Sequence, residues 1–114
     1  MAFVLDEKSS YKWPVRVEIP TDLGKHTVQT FHGEFKRVTQ TRIKEIGEQI
    51  EKNTITEIEL VSEIMVGWES VNDDDGNPLK FTKANLKKLL DVPMVAGAIA
   101  KAFFDSIAGA KRKN

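Results

Sequence analysis

Three adjacent carboxylates, Asp73, Asp74 and Asp75, stand directly before Gly76 in the stretch VNDDDGNPLKFT (71–82). A calcium loop between two helices uses such a pattern, with ligands at positions 1, 3, 5 and 12 and glycine at 6. Setting Gly76 at position 6 places Asp73 at 3 and Asp75 at 5. Position 1 is then Val71, and position 12 is Thr82, where a bidentate glutamate belongs. Two of the strongest ligands are missing. The stretch reads instead as a solvated turn, because Asp75-Gly76 is a turn pair and Val71 and Leu79 flank it as a short hairpin requires.

The other chemistry-bearing residues gather into no constellation. His26 and His32 are six apart, on one face of an unbroken strand, and zinc would need further ligands that no HExxH or cysteine motif supplies. Ser9, Ser10, Ser62, Ser70 and Ser106 lie in no nucleophile-elbow pattern, and the glycines never form a phosphate-cradling run. Lys111-Arg112-Lys113 has the charge to touch phosphate, but at the end of a helix it also complements the dipole, which is the simpler reading. No catalytic, cofactor or metal site is expected.

Composition narrows the classes further. The 114 residues suffice for one domain with a modest core. Seventeen basic residues balance seventeen acidic ones, whereas a dedicated nucleic-acid binder carries a basic excess. Zero net charge also leaves little repulsion between copies, so self-association is easy. Cysteine is absent, which fits a reducing cytoplasm and removes thiol chemistry. The acidic residues soon after the first apolar patch do not suit a signal peptide, and no apolar run approaches the roughly 20 residues that span a bilayer. The expectation is a soluble intracellular protein.

The elements that must position these residues change character near residue 39. Trp13, Val15, Val17 and Ile19 alternate with polar neighbours and Pro14, predicting a strand over 11–19 at a sheet edge. A turn at 20–25 leads to a second alternating run that turns Phe31 and Phe35 inward, with Gly33 between them marking a bulge or a close approach. Ile43, Ile46 and Ile50 then recur at helical spacing after a start near Thr39 or Thr41. Thr54 and Glu57 read as the capping box of a second helix that buries Ile58, Val61, Ile64, Met65 and Trp68. Thr82 caps a third helix carrying Leu86, Leu89 and Leu90. Pro93 opens the first turn of a fourth, which holds Val95, Ile99, Phe103 and Ile107. The fold class is α+β, an N-terminal antiparallel β-hairpin or small sheet followed by about four helices. Residues 1–10 form a segment outside the domain, 11–110 the single domain, and 111–114 a basic tail.

The last helix carries more apolar surface than so small a domain readily covers. Neighbours on a helix lie about 100° apart, so Phe103 and Phe104 cannot both point straight into one core. Met94, Val95, Ile99, Phe103, Phe104 and Ile107 are therefore the candidate partner-binding residues, with a second copy or a partner helix as the lid.

The stretch VGWESVNDDDGNPLKFTKANLKKLLDVPMVAGAIAKAFFDSI (66–107) resembles the C-terminal half of the tail assembly chaperones of long-tailed phages and prophages. The resemblance lies in Gly67-Trp68, the acidic turn ending at Gly76, Pro78, Phe81-Thr82, Asn85-Leu86, Leu89-Leu90, Val92-Pro93 and Phe103-Phe104. The close AKRKN is similar too, as is the N-terminal half, where a β-ribbon runs into GEFKRVTQTRIKEI (33–46). The resemblance implies a non-enzymatic factor that binds the helical tape measure protein, keeps it soluble in the bacterial cytoplasm and is absent from the mature virion. It also implies a longer frameshifted form whose extra domain recruits the major tail tube protein. A homo-oligomer is expected, without membrane or nucleic-acid partners. A small prophage-encoded nucleic-acid-associated or regulatory protein using the basic tail is the alternative, and an enzyme of unknown type a third.

Overall fold

The computed structural model describes residues 1–109. Strand β1 (Ser10–Pro20) pairs antiparallel with β2 (His26–Lys36), from Ser10 opposite Lys36 to Pro20 opposite His26. The connecting turn places Leu23 (φ 65°) and Gly24 (φ 72°) in the left-handed region, the two positive φ angles that a tight hairpin turn matched to strand twist demands. Pro14 lies on β1, which is an edge of the sheet, as its missing N–H requires.

The sheet has a third strand where the sequence pattern predicts helix. Helix α2 (Glu57–Ile64) ends four residues before Trp68, and β3 (Met65–Glu69) pairs antiparallel with β2 to give the order β1-β2-β3. Apolar spacing through Met65 and Trp68 fits helix and strand alike over so short a run, and the free edge of β2 decides for strand. Gly67 permits the pairing. A β-carbon there would lie 2.8 Å from the Glu34 carboxylate, which crosses directly over it. Trp68 consequently leaves the helix and fastens β3 to the loop beyond, donating its indole N–H to the Leu79 carbonyl at 2.7 Å and meeting the Phe81 ring edge-on. Gly33 is a close approach, with the Phe35 ring 3.2 Å and the Met65 sulfur 3.4 Å from its absent β-carbon, and the bulge falls beside it at Glu34/Phe35.

Local capping sets the helices. Thr39 caps α1 (Gln40–Glu51) by accepting from the Arg42 amide, and Thr82 caps α3 (Lys83–Leu90) through the Asn85 amide. The capping box of α2 is Thr56 with Glu59 rather than Thr54 with Glu57. The chain offers T-x-x-E twice, two residues apart, and Thr54 is taken by the end of α1, where it donates to the Gln49 carbonyl. Asn53 (φ 57°) ends α1, and the amides of Asn53 and Thr54 return to Ile50 and Gln49, which satisfies the last carbonyls. Helix α4 (Val95–Ala108) starts two residues beyond Pro93. Pro93 belongs to the turn, and Met94, in the left-handed region, is the residue that redirects the chain into α4.

The core forms where α2 and α4 meet the inner face of the sheet. Val15, Val17, Phe31 and Phe35 face Leu60, Val61 and Ile64 from α2 and Val95, Ile99 and Phe103 from α4. Phe35 and Phe103 meet edge-to-face at 5.5 Å, the favoured geometry for two quadrupoles. No polar or charged residue is buried among the described residues. At one end of the layer the Tyr11 and Ser106 hydroxyls hydrogen-bond at 2.7 Å, pinning the close of α4 to the start of β1. Arg42 clamps α1 to α2 through two parallel hydrogen bonds to the Glu63 carboxylate at 2.8 and 2.7 Å. No helix among the described residues is long and apolar enough to cross a membrane.

Candidate functional site

The acidic stretch folds as a hairpin. The Leu79 amide donates to the Val71 carbonyl at 2.8 Å, Asn72 bridges Pro78, and Gly76 takes φ 84°. Asp73 does not simply face water: half-buried, it accepts from the amides of Asp75 and Asn77 and so builds the turn. The three carboxylates come within 4.8 Å of one another, but one oxygen of Asp73 is thereby engaged and the Thr82 hydroxyl is engaged as a helix cap. His26 and His32 are both exposed, and no group of three His, Cys, Asp or Glu side chains gathers round them among the described residues. The basic run 111–113 lies outside the described residues.

The six candidates on the last helix divide. Val95, Ile99 and Phe103 are buried by the chain's own sheet and by α2, so the core takes them. Met94 (54% exposed) and Ile107 remain open, and Phe104 is half-buried. The neighbours Phe103 and Phe104 separate as helical geometry demands, one inside and one at the surface, with their rings edge-on at 5.4 Å.

Met94 and Phe104 line a groove along α4, and Ile107 lies on neither of its walls. The lower half of the groove, about 450 Å³, is walled by Ile50, Ile55, Leu60, Ala100 and Phe104, with Lys101 on its rim. The upper half, about 350 Å³, is walled by Ile58, Leu90, Val92, Met94 and Ala96, with Asp91 beside them. Thr56, Glu57 and Gly97 belong to both halves, so the two form one trough. Gly97 makes room at the middle for the Glu57 carboxylate, from which a β-carbon there would stand 3.1 Å. Lys101 bonds Asp105 one turn along at 2.7 Å, and the walls are mostly apolar, with Asn53, Thr56, Glu57 and Asp91 the polar residues among them.

Three wall residues escape a sequence reading. Ile50 and Ile58 fit the inward spacing of their helices, yet both are exposed, Ile58 at 51%. The bend at Asn53 turns the end of α1 and the start of α2 toward α4, and this puts them on the trough. Val92, next to a proline, reads as a stop signal and becomes wall only because Met94 reverses the chain. The available signal was the density of isoleucines around two helix termini.

Fold and trough together define a class: a small α+β domain with an open apolar groove on its helical layer. Within that class the chain belongs to the phage tail assembly chaperone family, whose family model matches residues 1–114, the whole length. A chaperone role in tail assembly follows from that membership. Comparisons with curated proteins and with solved structures gave no match.

Proposed function

We propose that this chain binds the tape measure protein, holds it soluble in the bacterial cytoplasm until the tail tube assembles round it, and leaves before the virion is complete. The observation that supports the reading is the apolar trough between Met94 and Phe104. Ten residues of helix set its length at about 15 Å, which matches three turns of an amphipathic client helix laid in by its i, i+3, i+4 and i+7 side chains. Each apolar anchor contributes about 1.5–3 kcal/mol when fully buried, and association consumes most of that. One domain on one segment is therefore weak. A long helical client offers many segments, and many copies along it supply the strength by multivalency.

Nothing in this role needs a chemical step, so the activity is read as non-enzymatic. A longer frameshifted form that recruits the major tail tube protein belongs to the same reading. The test is coexpression with the tape measure protein encoded beside this chain, reading how much of it stays soluble and co-purifies. Rescue that is lost with Ile58→Asp or Phe104→Asp supports the trough as the client site. No rescue by abundant, folded natural chain overturns the proposal.

A further inference from the structure

A charged group stands at the centre of the apolar trough. Glu57 belongs to both halves, and its carboxylate reaches from the first turn of α2 to Gly97 in α4. The start of α2 already has a cap and a carboxylate in Thr56 and Glu59. Glu57 leans away from that cap, onto a glycine placed inside a helix, where glycine is costly. It has no ion pair or hydrogen bond among the described residues, and neither has the side chain of Asp91 in the upper half. Lys101, on the lower rim, is committed to Asp105. The trough therefore holds two unanswered carboxylates between mostly apolar walls.

We propose that the trough selects a basic amphipathic helix, one whose apolar stripe is interrupted by an arginine or lysine that pairs with Glu57. This selection builds on the client reading and names the chemistry of the client segment. A wholly apolar helix laid over Glu57 would strip water from the carboxylate and return nothing, and an uncompensated charge is strongly unfavourable there. A basic residue at the same point supplies a charge-assisted hydrogen bond instead. Discrimination comes as much from the penalty on the wrong helix as from the bond to the right one. Arginine fits best, because its planar fork can hold both carboxylate oxygens.

The spacing of the client's side chains follows from α4. Gly97, where the Glu57 carboxylate rests, is three residues from Met94 and seven from Phe104. A helix lying along α4 shares its rise of about 1.5 Å per residue. A basic residue at position i therefore goes with one apolar anchor three residues away toward Met94, and others four and seven residues away toward Phe104. Positions i−3, i, i+4 and i+7 share one helix face, so a single stripe presents all four. Asp91 lies in the same half as Met94 and takes a second basic residue near that end.

The test uses three synthetic helical peptides of this pattern, identical except for arginine, leucine or glutamate at position i. Each is titrated into the natural chain and followed by fluorescence anisotropy. The arginine peptide is expected to bind at least about tenfold tighter than either of the others, with the margin over glutamate shrinking in high salt. Glu57→Gln, which keeps the side chain's size, should erase the preference for arginine over leucine and still bind the leucine peptide. Glu57→Arg should turn the preference toward glutamate. Equal binding of the three peptides, or a preference for arginine that survives Glu57→Gln, would overturn the inference and leave the client reading standing. Coexpression with the tape measure protein separates the remaining outcomes. Rescue of that protein with no peptide bound also overturns the inference and moves the client to another surface. Neither rescue nor peptide binding would overturn both readings together.

Discussion

Met94 holds φ 76° and ψ −14° at the entry to α4, with no side-chain cap, and an L-residue in this region costs about 1–2 kcal/mol. Asparagine tolerates the region, so Met94→Asn should recover on the order of 1 kcal/mol of that strain. The same change deletes a side chain that is roughly half-buried, and half of a full methionine burial is about 1 kcal/mol. The two terms oppose, and Met94→Asn is expected to leave folding stability within about 0.5 kcal/mol of the natural chain. Binding has no such compensation. The exposed half of Met94 is what the trough offers, and losing it should weaken tape measure binding about fivefold, equivalent to about 1 kcal/mol. Urea denaturation gives the first quantity and titration of a tape measure segment the second. A loss of 2 kcal/mol or more in the urea series would refute the reasoning, because Met94 would then be behaving as core. Unchanged binding would remove it from the trough.

Leu23 supplies the matching control, since it shares the left-handed backbone (φ 65°) but is almost wholly exposed. Leu23→Asn makes an Asn-Gly hairpin turn and should stabilise by about 1 kcal/mol with client binding unchanged. Gly97→Leu fills the middle of the trough. The atoms nearest its β-carbon belong to the movable carboxylate of Glu57 and helix propensity improves by up to about 1 kcal/mol, so pull-down should fall sharply while thermal stability holds. Thr56→Ala removes the hydroxyl that accepts from the Glu59 amide, with the backbone amide of residue 56 still donating to the Glu59 carboxylate, and should cost about 1 kcal/mol in urea, whereas Thr54→Ala should cost less. Glu63 is held below the ordinary carboxylate value of 4.5 by its hydrogen bonds to Arg42. Its contribution is complete above that value and is lost as pH falls through the lowered one. Stability measured against pH for Glu63→Gln should therefore lie below the natural curve at pH 7 and converge with it in acid. A constant gap across the range would show that the Arg42 clamp is not electrostatic.

Much of the fold is legible because its signals are local. Alternation in β1 and β2 follows from the period of a strand, and the caps at Thr39 and Thr82 need only three residues of chain. The hairpin at Asp75-Gly76 is likewise written in its turn pair. Local rules fail where two readings compete over a few residues. The choice between Thr54 and Thr56 turned on which threonine the preceding helix had already taken. Helix or strand at 65–69 turned on the vacant edge of β2, thirty residues earlier in the chain.

The candidate site shows the same division at larger scale. Sequence alone established that α4 carries too many apolar side chains for one face, and that Phe103 and Phe104 must part company. It also carried the family resemblance, in turn and core residues spread along most of the chain. Only the tertiary structure assigned Val95, Ile99 and Phe103 to the core and left Met94, Phe104 and Ile107 outside. It alone brought Ile50, Ile58 and Val92, from three separate element ends, to one trough. Periodicity states which residues share a face of their own helix. Whether that face is covered depends on what packs against it, and that is settled between residues far apart in the chain.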